Sequence, residues 1–121
     1  MADNRSGAVA VVDDDPAVLD SLKFLLEVAG RSVAIYPSAA AFLDDRARSP
    51  ACLIVDQHMP DMTGLELAAR LRSEGAGIPV LIITAVPSPA IVARAAQLGI
   101  ENVLEKPLDE DDLLRFVSSH H

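Results

Sequence analysis

The sequence has no tryptophan, one tyrosine, three phenylalanines and a single cysteine. Aromatic residues at 3% leave little from which to build a flavin-stacking site. The lone Cys52 has no partner for an internal disulfide, which suits a reducing compartment. Basic residues are also scarce: ten Lys and Arg against eighteen Asp and Glu give a net charge of −8 and a pI near 4.6. That balance argues against a nucleic-acid or anionic-membrane surface. No apolar run approaches the ~18 residues of a membrane span, and Met1 to Gly7 are polar, so no signal peptide is expected. Repeats, low-complexity stretches and internal linkers are missing too. What remains is 121 residues, half of them hydrophobic, with a mean hydropathy of +0.28. A chain of that size and composition forms one folded domain with a sizeable core. It reads as a single acidic, cytoplasmic domain over 1–121 with its core from about Ala8 to Val117.

Two kinds of apolar segment alternate along the chain. Short β-rich runs are Ala8–Val12, Val33–Tyr36, Leu53–Val55, Val80–Ile83 and Asn102–Leu104. Most are continuous rather than alternating, as in strands buried on both faces of a parallel sheet. Between them lie amphipathic stretches with helix punctuation. Asp15-Pro16 suits an N-cap and N1, Val18, Leu19, Leu22, Leu25 and Leu26 form an apolar face, and Gly30 suits the stop. Ser38 caps a second helix carrying Ala41 and Phe42. Thr63 and Glu66 form a capping box for a third helix through Leu67 and Leu71. Ser88-Pro89 opens a fourth with Ile91, Ala95 and Leu98, and Asp109 opens a fifth with Leu113, Phe116 and Val117. The acids Asp109 to Asp112 sit where the helix dipole favours negative charge. The pattern is βαβαβαβαβα with short connections, a three-layer (βα)5 doubly wound α/β fold.

In such sheets ligands bind beyond the carboxyl ends of the strands. There the sequence places Asp13-Asp14-Asp15, Asp56, Thr84 and Lys106-Pro107. With the flavodoxin-like strand order 2-1-3-4-5, the first and third strands are neighbours, and Asp13, Asp14 and Asp56 converge. Two such charges ~4 Å apart repel by ~4 kcal/mol at an effective dielectric of ~20. Protonation, recruitment of Lys106 or a hard cation relieves this. A small oxygen-only site with open water positions suits Mg2+. A cation beside an unpaired carboxylate suggests phosphoryl transfer, with Asp56 as nucleophile, Asp13 and Asp14 holding the metal, and Thr84 and Lys106 neutralising phosphoryl oxygens.

The set Val11-Val12-Asp13-Asp14-Asp15-Pro16, Val55-Asp56-Gln57-His58-Met59-Pro60-Asp61-Met62-Thr63-Gly64, Ile83-Thr84-Ala85 and Glu105-Lys106-Pro107 closely resembles the receiver domain of two-component response regulators. The middle segment and the Glu-Lys-Pro ending look most like receivers of nitrogen-fixation and LuxR-type transcription factors. Four separated motifs at concordant strand ends make this specific where one alone would be weak. The resemblance implies that Asp56 is the phosphoacceptor. It implies Mg2+ held through Asp14, Asp56 and the backbone carbonyl of His58, with Asp13 acting mostly through water. It implies a sensor histidine kinase as donor, phosphorylation by small acyl phosphates, and only self-phosphorylation and self-dephosphorylation rather than enzymatic turnover. It also implies a cis Lys106–Pro107 peptide, and an inward shift of Thr84 that remodels the face of the fourth helix, fifth strand and fifth helix. That face then supports a phosphorylation-dependent homodimer, or an output domain or downstream protein. The domain itself is expected to contact neither DNA nor membrane.

Other residues carry blander readings. Cys52 packs as a small hydrophobe. His58, as a lone loop histidine, is expected to be exposed; in receivers its position overlooks the phosphoryl site and tunes hydrolysis. Gly75-Ala76-Gly77 precedes a strand and lacks the third glycine of a dinucleotide fingerprint. The tail at 118–121 ends in His120-His121, native or the stub of a tag. Three departures from the receiver pattern bear on switching. Val103 stands where receivers carry Tyr or Phe, and its stiff χ1 allows no large ring rotation. Pro87 and Pro89 restrict the loop that begins at Ala85, so phosphorylation is expected to move it less than in an aromatic-switch receiver. Val86, with His58, lines access to Asp56 and is expected to slow hydrolysis. Two alternatives stay open: a receiver-like interaction module with weak or no phosphate response, and a Mg2+-dependent phosphohydrolase. The latter is disfavoured because His58 stands where its second acid belongs. No output segment is expected within the chain, which leaves a stand-alone receiver and one excised from a longer regulator both open.

Overall fold

The computed structural model describes residues 7–45 and 48–120; His121, part of the tail reading, lies outside them. Five parallel strands, β1 (Val9–Val12), β2 (Val33–Tyr36), β3 (Cys52–Asp56), β4 (Val80–Thr84) and β5 (Asn102–Glu105), form one sheet in the order β2-β1-β3-β4-β5. The register sets Val12 beside Val55, Asp56 beside Ile83 and Thr84 beside Glu105. The expected order and doubly wound architecture are therefore observed. β3 and β4 run on to include Asp56 and Thr84, so both residues are the last of their strands.

Helices α1 (Pro16–Val28) and α5 (Glu110–Ser119) cover one face, and α2 (Ala39–Asp44), α3 (Gly64–Ser73) and α4 (Pro89–Gln97) cover the other. The period-two alternation of the strands divides the core between them. Val9, Val11, Cys52, Ile54, Leu81 and Ile83 meet Leu22, Leu26, Leu113 and Phe116. Ala10, Val12, Leu53, Val55 and Ile82 meet Phe42, Leu67, Leu71 and Ala95. The three central strands are buried along their whole length, while β2 and β5 at the edges are half-buried. This is why the central runs read as continuous apolar segments. Each fully buried Leu, Ile or Phe contributes about 1.5–3 kcal/mol, so a cavity-forming Leu71→Ala costs about 2–5 kcal/mol.

The helix starts follow the sequence signals. Asp15 accepts from Ala17 N with Pro16 at N1, Ser38 accepts from Ala41 N, and Ser88 accepts from Ile91 N ahead of Pro89. Asp109 accepts from Asp111 N and Asp112 N. Both halves of the Thr63–Glu66 capping box are present, at 3.0 and 2.9 Å. Gly30 ends α1 at φ +89°, a conformation that costs a side-chain-bearing residue strain. Two faces are shallower than expected. On α2 the buried pair is Ala39 and Phe42, with Ala41 only half-buried. On α4 only Ala95 is buried and Ile91 and Leu98 are half-buried, because four alanines at 90, 93, 95 and 96 give the helix little bulk to sink into the sheet. Among the described residues, no helix is long and apolar enough to cross a membrane.

Candidate functional site

The site forms where β1, β3, β4 and β5 end. Asp13 follows β1 directly, donates its backbone N–H to Tyr36 O (3.2 Å), and is only 1% exposed. Its Oδ1 accepts from the Asp15 amide at 2.9 Å. Its Oδ2 is the one buried side-chain oxygen among the described residues without a hydrogen-bond partner. Asp56 closes β3 and is 4% exposed, whereas Asp14 is open to solvent. Carboxylate oxygens of Asp13, Asp14 and Asp56 lie within 4.8 Å of one another. The expected convergence is therefore present.

Lys106 supplies the nearby positive charge. Its backbone N–H donates to Thr84 O at 2.9 Å, which anchors the end of β5 to the end of β4. Its Nζ stands 3.3 Å from Asp56 Oδ1 and 3.5 Å from Asp13 Oδ2. The Lys106–Pro107 peptide is cis, as expected. Burial pushes the Asp13 carboxyl above its usual range; the Asp15 amide opposes this, Asp56 and Asp14 add to it, and Lys106 opposes it. Burial pulls the Lys106 amine down, but Asp13 and Asp56 outweigh it and hold the amine above the usual lysine range. One lysine thus leaves the acid cluster under-compensated, and Asp13 still resists ionisation in its presence.

The opening turn of α3 is pressed against the phosphoacceptor candidate. Gly64 N donates to Gln57 O at 3.2 Å, and Leu65 N donates to the buried Gln57 Oε1 at 2.9 Å. A β-carbon on Gly64 would stand 2.8 Å from Asp56 O, so only glycine permits this approach. Gln57 N in turn donates to Ile83 O. Sequence reasoning missed Gln57 and the close approach at Gly64. Gln57 resembles any polar loop residue, and its bond to Leu65 joins the strand end to a helix start through the side chain.

Thr84 is fully buried, and its Oγ1 accepts from the Val86 amide at 3.3 Å. The same oxygen lies 3.2 Å from His58 Nε2. His58 is exposed, as expected, yet its ring holds a hydroxyl 26 residues away in sequence, a contact no local pattern announces. Ala85 and Val86 are exposed, Val86 at 70%. Val103 lies on the α4 side of β5, half-buried with Ile91 and Leu98. It packs with that apolar cluster, whereas the acid cluster is made up of Asp13, Asp14 and Asp56 with Lys106 beside it. Cys52 is wholly buried and its thiol is pushed up to about 11 by burial, with Arg31 opposing, as suits an inert packing residue.

The donor set fits a hard divalent cation. It is oxygen-only, carries three carboxylates, and includes a buried oxygen, Asp13 Oδ2, that has no hydrogen bond and only the Lys106 ion pair at 3.5 Å. Asp56 is a buried carboxylate with an ammonium group 3.3 Å away.

The profile of the response regulator receiver domain matches residues 9–118. Among similar proteins, the transcriptional regulatory protein FixJ of Bradyrhizobium diazoefficiens is 38% identical over 114 residues, covering 93% of this chain and 56% of FixJ. The response regulator protein TodT of Pseudomonas putida is 36% identical over 112 residues, covering 92% of this chain and 49% of TodT. The chain therefore spans about half the length of these curated relatives. Among solved structures, FixJ-N superimposes with a TM-score of 0.80 at 32% identity, covering 100% of this chain and 98% of that one.

Proposed function

The chain belongs to the response regulator receiver domain family of two-component signalling, and from that membership we propose that it is a phosphoacceptor switch operating through Asp56. The observation that carries this reading is the packing of Asp13, Asp14 and Asp56 within 4.8 Å, with Lys106 Nζ 3.3 Å from the Asp56 carboxylate.

A sensor histidine kinase is the proposed donor. An Asp56 carboxylate oxygen forms a bond to phosphorus as the P–N bond of the kinase phosphohistidine breaks, and the imidazole keeps the electron pair. With a small acyl phosphate, the broken bond is P–O and the carboxylate leaves. Asp13, Asp14, Asp56 and the backbone carbonyl of His58 would hold Mg2+, which neutralises phosphoryl oxygens that bare carboxylates repel. Lys106 neutralises one of those oxygens as a point charge, and the Thr84 hydroxyl donates to another. Both groups sit at neighbouring strand ends joined through Lys106 N–H and Thr84 O. Turnover is limited to the domain's own phosphorylation and hydrolysis.

The phosphorylated state is read out on the face of α4, β5 and α5, through a homodimer or through an output domain or partner. The relatives' names point to transcription regulation. The acidic surface and lone buried cysteine support a cytoplasmic setting without nucleic-acid contact by this domain. Intact-protein mass after incubation with acetyl phosphate and Mg2+ tests the reading, beside Asp56→Asn and a chelator control. A gain of one phosphoryl group that needs both Asp56 and the metal is expected. Absence of a gain, together with no beryllofluoride binding, would favour the receiver-like module without phosphate response, a reading to which the half-buried Val103 lends some weight.

A further inference from the structure

A threonine hydroxyl has one proton to donate, and the contacts around the Thr84 oxygen decide where that proton points. The side chain is 0% exposed, so water does not compete for it. Its oxygen accepts from the Val86 amide at 3.3 Å and lies 3.2 Å from His58 Nε2. Both contacts come from the loops beside the acid cluster, one from the β4–α4 loop and one from the β3–α3 loop. The His58 ring stands in solvent with no other side-chain hydrogen bond among the described residues.

We propose that His58, accepting the Thr84 hydroxyl proton at Nε2, is a latch on Thr84: a positioning residue that holds the hydroxyl in its resting orientation and competes with the Asp56 phosphoryl group for it. This rests on the phosphoacceptor reading above and adds to it the group that opposes switching. For Thr84 to bond a phosphoryl oxygen, the His58–Thr84 bond must break, because the hydroxyl rotor serves one direction at a time. The resting state is thereby favoured by the net strength of one neutral hydrogen bond, which sets the expected effect of its removal at about two- to tenfold. Since His58 is exposed, its side chain can be removed without opening a cavity.

The test is beryllofluoride affinity in the presence of Mg2+, read together with the Thr84 and Val86 amide resonances, in the whole chain. His58→Ala is expected to bind about two- to tenfold more tightly, with its unliganded Thr84 and Val86 resonances displaced toward the beryllofluoride-bound positions. His58→Gln, which restores a polar group at the same reach, is expected to return both readouts toward wild type. In a Thr84→Ala background, His58→Ala is expected to change nothing, because the two residues then share no bond to lose. An equal gain in that background would mean that His58 acts by bulk over the site, and would overturn the latch. Unchanged or weaker binding by His58→Ala would overturn it as well, weaker binding showing that His58 assists the phosphoryl state. If wild type bound no beryllofluoride, the receiver reading would fall first and the latch with it. Binding by wild type with no gain in His58→Ala removes the latch alone.

Discussion

The acid-bearing edge of the sheet and helix α4 differ sharply in how firmly the fold holds them. Asp13, Asp56 and Thr84 are buried at the ends of fully buried strands, and each is tied by backbone bonds to a neighbouring strand or loop. α3, which starts beside Asp56, sinks five residues into the core, whereas α4 sinks only Ala95. Val86 and Val92, in the loop before α4 and on α4 itself, are 70% and 51% exposed. The proposed chemistry therefore sits on the part of the molecule that is costly to deform, and the face proposed to report it includes the part that is cheap to move. A local event at the strand ends has a lightly seated neighbour to act upon.

The contrast can be broken most completely at the rigid edge. Asp56→Asn is expected to abolish phosphoryl incorporation from acetyl phosphate while leaving the fold intact, as read by intact mass and circular dichroism. Gly64→Ala should follow in size. Its β-carbon meets Asp56 O at 2.8 Å, and overpacking of this kind costs about 1–3 kcal/mol in denaturant unfolding, with slower phosphorylation because the Asp56 backbone must shift.

Asp13→Asn is expected to act in the opposite direction, stabilising the domain at neutral pH by about 1–3 kcal/mol, because Lys106 and the Asp15 amide offset the burial of its charge only in part. Burial holds the Asp13 carboxyl above its usual range, so the native state takes up that proton at a higher pH than the unfolded chain does. The ionised form thus costs stability above the raised pKa, and that cost disappears as the pH falls through it. The advantage of Asp13→Asn over wild type should shrink on mild acidification, measured by thermal melts across the acid range. Lys106, held above its usual range, contributes stability in full below the ordinary lysine pKa and loses it only as the pH rises through the raised value.

At the pliant side the effects should be smaller. Val86→Glu is expected to shorten the phosphoryl lifetime, followed by loss of mass after removal of acetyl phosphate. Val92→Ser should leave stability within about 0.5 kcal/mol of wild type, since α4 gains little from that exposed side chain. An effect on stability as large as that of Gly64→Ala would show α4 to be as firmly seated as α3.

The sequence made most of this edge legible because strand ends and helix caps are local. Asp13 lies just after a β-rich run, Asp56 and Thr84 end theirs, and Asp15, Thr63, Ser88 and Asp109 announce helices by chemistry that operates within three residues. What stayed hidden joins distant segments or depends on depth. The His58–Thr84 contact spans 26 residues, as does the bond from Arg72 Nε to Leu98 O. The shallow seating of α4 follows from volume rather than pattern, since Ile91, Ala95 and Leu98 have the right spacing but too little bulk around them.

Arg72 gives that last feature a mechanical meaning. Its guanidinium donates to Leu98 O at 2.9 Å and to Ala76 O and Ile78 O at 3.0 and 2.9 Å, so the trailing end of α4 is riveted to the loop between α3 and β4. The leading end, at Ser88 and Pro89, has no such side-chain rivet among the described residues and begins four residues after Thr84. A helix fixed at one end behaves as a lever. Its nine residues make an arm of about 13 Å, so a tilt of about 10° about Leu98 carries Pro89 through roughly 2 Å. The fulcrum lies at the C-terminal end of α4 and the stroke at the end that follows Thr84, so the rearrangement proposed around Thr84 would be delivered as a rotation of α4.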